Sequence, residues 1–231
     1  MNNVICLKVG NRYSSDYVNK LYNSCRRHLR IDYNFYCFTE NTKGLDPSIL
    51  VRTLPVQQYP NIDGWWWKTY LHKEGLFDKE DTNLFIDLDM VIVDGLDKFF
   101  QYEKDSSYVS CCAPVIRNKV LANYLFRWKG DYDKVWDLIC LNPSIMEVYR
   151  SDQEYIGDLL FEEIKYYPRE WIKSYKWEIR DSSDLVLNGN VYNFQNIKND
   201  VKIPSETSIL AFHGTPYPHM VQDPIILKNW K

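Results

Sequence analysis

The chain has 231 residues, 45% of them hydrophobic, with a net charge of −3 and a pI of about 5.8. That length suits one domain with a proper core, and nothing in the charge balance suggests a general nucleic-acid binder. No apolar run reaches the 18 residues of a membrane span, and the opening MNNVICLKVG enters a strand at once, so neither a transmembrane segment nor a signal peptide is expected.

Aromatic residues make up 16% of the chain, including 18 Tyr and 8 Trp, an excess that lines a groove for flat ligands such as sugars and bases or else fills a heavily aromatic core. Six cysteines form no C-x-x-C pair, and most lie in apolar runs. They read as reduced core residues of a cytoplasmic protein rather than a disulfide or zinc framework.

Residues 4–9 (VICLKV) predict a strand, and Gly10, Asn11 and Arg12 a turn. Tyr17, Leu21, Cys25 and Leu29 recur at helical spacing, so residues 16–29 form an amphipathic helix capped by Ser14 or Ser15. Strands follow over 34–39 and 49–56, and strand–helix–strand order predicts a parallel sheet. Ligands of open α/β sheets bind beyond the carboxyl ends of strands, which is where Lys8, Gly10 and Tyr13 stand. Neither a dinucleotide-binding glycine fingerprint nor a P-loop is present.

Asp63-Gly64 opens a helix over WWWKTYLHKEGLF. Three consecutive tryptophans cannot face one way, so at least one borders a cleft. Lys68 stands one turn on, either aimed at a phosphate or solvated beside a packed Trp cluster.

Residues 83–95, NLFIDLDMVIVDG, read as a central strand buried on both faces. In a regular strand Asp87 and Asp89 share a face. Two carboxylates there repel and lose solvation unless a hard divalent cation, Mn²⁺ or Mg²⁺, sits between them. The other reading is that the strand ends at the surface and both aspartates are solvated.

Strands are expected over 108–116 and 121–128, then a helix carrying Val135, Trp136, Leu138 and Ile139. Ser151 and Glu154 form a capping box, which puts Asp152 and Gln153 at a helix N-terminus. Residues 162–207 are weakly periodic, with one strand near 185–187. The run 208–212 (SILAF) is a last strand delivering His213, and Gly214 lets the backbone turn tightly beside a phosphate. The tail holds three prolines and is expected as an ordered loop.

FIDLDMVIV fits two patterns: the strand and D-x-D-x-[TV] of dehalogenase-like phosphatases, and the apolar–D-x-D–apolar strand of GT-A glycosyltransferases. The phosphatases carry the motif on their first strand, whereas here a strand–helix–strand–strand–helix unit precedes it. The chain resembles GT-A glycosyltransferases of the glycogenin and lipopolysaccharide-galactosyltransferase kind in VICLKVGNRY, WWWKTYLHKEGLF, FIDLDMVIVDGLDKFF, SDQEYI and AFHGTPYPH.

That resemblance implies a single α/β GT-A domain over 1–231, Rossmann-like, with a mostly parallel sheet flanked by helices. Residues 1–100 would form the nucleotide-binding half, and 101–231 the acceptor half and a C-terminal metal-binding loop. It implies Asp87, Asp89 and His213 as ligands of Mn²⁺ or Mg²⁺, and Asp152 and Gln153 as the catalytic pair near the transferred sugar. Lys8, Gly10, Tyr13, Lys68, Asp87 and Gly214 would bind the donor, a nucleotide sugar with UDP as the expected nucleotide. The acceptor would be a saccharide or another hydroxyl, and the anomeric configuration would be retained. Two departures stand out. Thr215 and Tyr217 occupy the ground of the family's lysine after H-G, leaving His219, Lys228 or Lys231 as substitutes, and Ala122-Asn123-Tyr124 replaces its Asn-Ser or Asn-Ala pair. Two other readings stay open: a phosphatase with Asp87 as nucleophile, and a sugar-binding protein of the same fold without turnover.

Overall fold

Alternation along β1 (Asn2–Lys8) divides the interior in two. Val4 and Cys6 join one cluster with Tyr17, Val18, Leu21 and Cys25 of α1 (Ser15–His28), while Ile5 and Leu7 join another with Trp66 and Trp67. Both faces are covered, as a continuous apolar strand requires. The computed structural model describes residues 1–112, 121–180, 187–188, 191–192 and 202–231. The strand expected over 108–116 is seen to Cys112, and of the one expected near 185–187 only Leu187 falls within the described residues.

Further strands are β2 (Asn34–Thr39), β3 (Leu50–Thr53), β4 (Thr82–Ile86), β5 (Met90–Ile92), β6 (Tyr108–Cys112), β7 (Leu121–Trp128) and β8 (Ile164–Tyr166). The main sheet runs β3-β2-β1-β4-β7-β6-β8. Its first four strands are parallel, with Cys6 opposite Cys37 and Ile5 opposite Phe85, and β7 is antiparallel to both neighbours. The chain moves outward from β1 to β2 and β3, then returns to the other flank of β1 as β4. Strand order therefore reverses between β1 and β4, which opens a crevice beyond their carboxyl ends. A smaller sheet sets β12 (Ile209–Ala211) between β5 and β9 (Ile172–Ser174), and β10 (Leu187–Asn188) pairs with β11 (Val191–Tyr192).

The run 83–95 is not one strand. β4 ends at Ile86 and β5 begins at Met90, so Asp87–Leu88–Asp89 is a turn that hands the chain from the large sheet to the small one. Asp87 N–H still donates to Tyr124 O of β7, at 2.9 Å, whereas β5 pairs with β12. The break turns both carboxylates into one cleft, where Asp89 is buried and Asp87 half-buried.

Three other expectations change. WWWKTYLHKEGLF forms a single 3₁₀ turn (Gly64–Trp66) and the short α2 (Trp67–Tyr70), after which i to i+3 bonds at Leu71, His72 and Lys73 keep the backbone too tight for an α-helix. α3 (Asp97–Gln101), α4 (Lys134–Leu141), α5 (Ile145–Val148) and α6 (Asp152–Leu159) follow. At α6 only half the capping box forms: Ser151 accepts from Glu154 N–H, but the Glu154 carboxylate accepts from Arg150 N–H. The tail is not all loop, because Pro224 starts α7 (Pro224–Asn229) and the Asp223 side chain caps it. Proline suits a first helical position, whose N–H has no intrahelical partner. No helix among the described residues is long and apolar enough to cross a membrane.

Candidate active site

A cleft of about 870 Å³ opens where β1 and β4 end. Gly10, Arg12 and Tyr13 line it from the β1–α1 loop, Lys68 from α2, Asp87 and Asp89 from the β4–β5 turn, Asp152 and Gln153 from α6, and His213 and Gly214 from the loop after β12. Of the residues expected here, Lys8 alone does not line it. Leu7 and Val9 face the cleft, so strand alternation turns Lys8 to the face shared by Val4 and Cys6, where it is buried.

Asp89 is 5% exposed, and its Oδ2 accepts from Tyr13 O–H at 3.0 Å and from Gly214 N–H at 3.1 Å. Burial, then the Asp89 charge, raises the Tyr13 pKa, so the phenol stays a donor. His213 and Gly214 both adopt positive φ, +51° and +78°, turning the backbone so that the Gly214 amide meets Asp89.

Asp87 Oδ2 accepts from Lys68 Nζ at 2.7 Å, and the same ammonium donates to Asn123 O at 2.8 Å. Burial pushes Asp87 up to about 7; Lys68 pulls it down, and the Asp89 and Asp152 charges push it further up. Burial disfavours the Lys68 charge, but Asp87 and then Asp152 outweigh it, so its pKa is raised. Asn123 joins this pair to α6: its side-chain N–H donates to Asp152 Oδ2 and its backbone N–H to Gln153 Oε1, at 3.4 Å. Asp152 is 3% exposed, and burial raises its pKa. Its carboxylate is spent on Asn123, whereas Gln153 is half-buried at the cleft wall.

The His213 ring stacks on Trp177, with centroids 5.2 Å apart, and meets the edge of Tyr124 at 4.9 Å. Burial holds its pKa down at about 4, with Asp89 opposing and Lys176 assisting, so the imidazole is neutral at physiological pH. Its Nε2 is buried with no partner among the described residues. Lys176 Nζ donates to the carbonyls of His213 and Thr215, at 2.9 and 2.8 Å, and thereby clamps this loop.

Two carboxylates and a neutral imidazole are a suitable donor set for Mn²⁺, and an unpartnered buried imidazole nitrogen is a free ligand position. Yet among the described residues no three His, Cys, Asp or Glu side chains are gathered as a group that could hold a metal. The acids stand on a turn rather than one strand face, and one oxygen of each is already engaged.

No protein-family model matches the chain, and no curated protein matches it in sequence. Solved structures do match. The galactosyltransferase LgtC, in complex with donor and acceptor sugar analogues, aligns over 94% of this chain and 88% of its own, at a TM-score of 0.62 and 11% identity. The bifunctional glycosyltransferase WbbM aligns over 93% and 46% at a TM-score of 0.60 and 12% identity. The glycosyltransferase GlyE of Streptococcus pneumoniae TIGR4 aligns over 74% and 47% at 0.58 and 11%. The chain spans about half the length of the latter two. Its fold is the GT-A glycosyltransferase fold.

On this GT-A frame Arg12 and Asn123 line the cleft and Lys176 stands behind its wall, three residues to which the sequence assigns no site role. Asn123 enters the sequence reading only as a departure from the family, although a polar residue inside LANYLFRW is a usable signal. Arg12 reads in sequence as part of a turn. Lys176 belongs to a one-turn π-helix (Tyr175–Ile179) in the weakly periodic stretch, where no signal marked it. Of the three tryptophans, Trp66 and Trp67 are buried and Trp65 lies half exposed on the cleft.

Proposed function

We propose that the protein is a metal-dependent glycosyltransferase that moves a sugar from a nucleotide-sugar donor, with UDP as the expected nucleotide, to a hydroxyl of a saccharide or other acceptor. The observation that carries this reading is the meeting of Tyr13 and Gly214 on one oxygen of Asp89, in a GT-A cleft that also holds Asp87, Lys68, His213 and Gln153. LgtC, with its donor and acceptor sugar analogues, is the relevant precedent.

In this reading Gly10 and Tyr13 receive the nucleotide, and Lys68 and the Gly214 backbone stand by the diphosphate. Asp87, Asp89 and His213 would hold Mn²⁺ or Mg²⁺, which when bound neutralises charge on the leaving diphosphate as a Lewis acid. The unpartnered His213 Nε2 and the mutual repulsion of the two carboxylates support that set. Gln153 faces the transferred sugar from a helix start pinned by Ser151, and transfer retains configuration. Asp152 is a positioning residue: it holds Asn123, whose carbonyl holds Lys68. A phosphatase using Asp87 is not favoured, because the D-x-D follows the fourth strand of the chain rather than the first.

The test is a thermal-shift series with UDP, GDP, UDP-glucose and UDP-galactose, with and without Mn²⁺, followed by assay of free nucleoside diphosphate. A rise in Tm that needs both nucleotide and Mn²⁺, with slow release of UDP, is expected. Binding with no release in the presence of any acceptor would mean a sugar-binding protein, and a beryllofluoride adduct on Asp87 would mean a phosphatase. No shift with any nucleotide would end the donor reading.

A further inference from the structure

The described residues lining the cleft carry five carboxylates and only two cations, Arg12 and Lys68. An anion entering such a cleft needs positive charge that is still available. Lys68 stands by the diphosphate in the nucleotide-sugar reading, but its ammonium already bonds Asp87 and the Asn123 carbonyl and brings little uncompensated charge. Lys176, behind the wall, is committed to the carbonyls of His213 and Thr215.

Arg12 is different. Its Nε donates to Tyr217 O–H at 3.2 Å, and its guanidinium carbon lies 5.6 and 5.9 Å from the ring centroids of Tyr13 and Tyr217. One edge of the guanidinium is thus anchored, while neither Nη has a hydrogen-bond partner among the described residues. Nη2 lies 3.6 Å from where a Cβ on Gly214 would stand. The free edge therefore overhangs the bare backbone of the residue whose amide meets Asp89, at the seam between the β1–α1 loop and the loop after β12. A guanidinium anchored at Nε keeps two Nη groups whose spacing matches two phosphate oxygens, which a lysine point charge does not.

We infer that Arg12 is the cation that grips the donor's diphosphate, its Nη groups paired with phosphate oxygens while Tyr217 holds its Nε. The inference rests on the nucleotide-sugar reading and adds to it a residue from the opposite end of the chain to the expected C-terminal cations. His219, Lys228 and Lys231, offered by the sequence for that task, do not line the cleft, and the His219 ring is bonded to the Tyr17 hydroxyl.

The experiment titrates UDP, uridine and inorganic pyrophosphate, each with Mn²⁺, into the parent and into Arg12→Gln, Arg12→Lys and Tyr217→Phe. Arg12→Gln should weaken UDP and pyrophosphate at least tenfold and uridine less than twofold. Arg12→Lys should fall between parent and Arg12→Gln for the two diphosphates. Tyr217→Phe keeps the ring and the charge and should cost less than Arg12→Gln. Equal losses for UDP and uridine, unchanged UDP affinity in Arg12→Gln, or a Tyr217→Phe loss as large as that of Arg12→Gln would overturn the assignment in favour of a structural latch. If the parent binds pyrophosphate through Arg12 but gains nothing from a nucleoside, the nucleotide-sugar reading fails while the diphosphate grip stands. If the parent binds neither diphosphate, both fall.

Discussion

The ammonium of Lys68 bridges two elements of the cleft, lying 2.7 Å from Asp87 Oδ2 and 2.8 Å from the backbone oxygen of Asn123. Among the described residues it is the cation whose charge acts on both Asp87 and Asp152 in the cleft floor. Removing one partner of a buried pair leaves the other uncompensated. Lys68→Met should therefore lower stability by about 3 kcal/mol. Adding Asp87→Asn should restore part of that loss. Urea denaturation of the two single variants and the double variant checks this, and strictly additive losses would show that the two side chains are not coupled.

Asp89→Asn keeps an amide oxygen that can accept from Tyr13 and Gly214, so the fold should be retained with an unchanged urea midpoint. Metal-dependent UDP binding should nevertheless weaken at least tenfold, because a neutral amide is a poor ligand for a hard cation. Calorimetry with UDP at fixed Mn²⁺ measures it, and unaltered affinity would remove Asp89 from the metal set.

The unpartnered Nε2 of His213 predicts a steeper loss on the metal side than on the nucleotide side. His213→Ala should raise the Mn²⁺ concentration needed for UDP binding at least tenfold. If the Mn²⁺ requirement matches that of the parent, some other group completes the site.

Gln153→Ala should slow sugar transfer far more than it weakens UDP binding, since a contact made mainly in the transition state lowers turnover rather than ground-state affinity. Comparing kcat with the Kd for UDP separates the two. Equal loss of both would assign Gln153 to the nucleotide pocket or to holding the Asn123 amide.

His72 supplies a pH signature remote from the chemistry. It is buried among Tyr108, Phe126 and Trp128, its Nδ1 has no partner among the described residues, and burial pushes its pKa down to about 4 from an ordinary 6.5. Below pH 6.5 the unfolded chain takes up a proton that the folded chain refuses, so stability is lost as pH falls from 6.5 towards 4. The loss is about 2 kcal/mol by pH 5 and about 3 kcal/mol in all. His72→Phe should remove this slope. Urea curves at pH 7 and pH 5 check it, and equal acid sensitivity in parent and variant would assign the slope to other groups.

Much of this architecture was readable because periodicity follows from burial. β1, α1 and β2 bury continuous or helically spaced apolar residues, and their ends fall within about two residues of the sequence reading. The break at Asp87–Asp89 was not readable, because the strands on either side are equally apolar and only the identity of their partners, β7 for one and β12 for the other, separates them. The place of Lys8 is not legible from nearness to a strand end, because alternation decides which face its side chain takes. Pro224 reads as a loop marker in sequence, although a proline is also a good first helical residue. Asp152 and Gln153 were found at a helix start. That Asn123 would occupy the former and touch the latter depends on the packing of α6 against β7, which no local pattern encodes.

The two hydrogen bonds at Asp89 Oδ2 join residues 76 and 125 positions apart along the chain. The Tyr13 contact has the span of the β1–β4 pairing itself, in which Asn2 stands opposite Thr82, whereas the Gly214 contact closes a longer loop and waits on the far end of the chain. A chain on its way to the native state can build β1 to β4 and their apolar clusters while the cleft still lacks His213, Gly214 and the strand that delivers them. Ligand affinity therefore belongs to the last step of folding rather than to the first hundred residues. In a refolding experiment, recovery of nucleotide binding should trail recovery of the buried tryptophan signal.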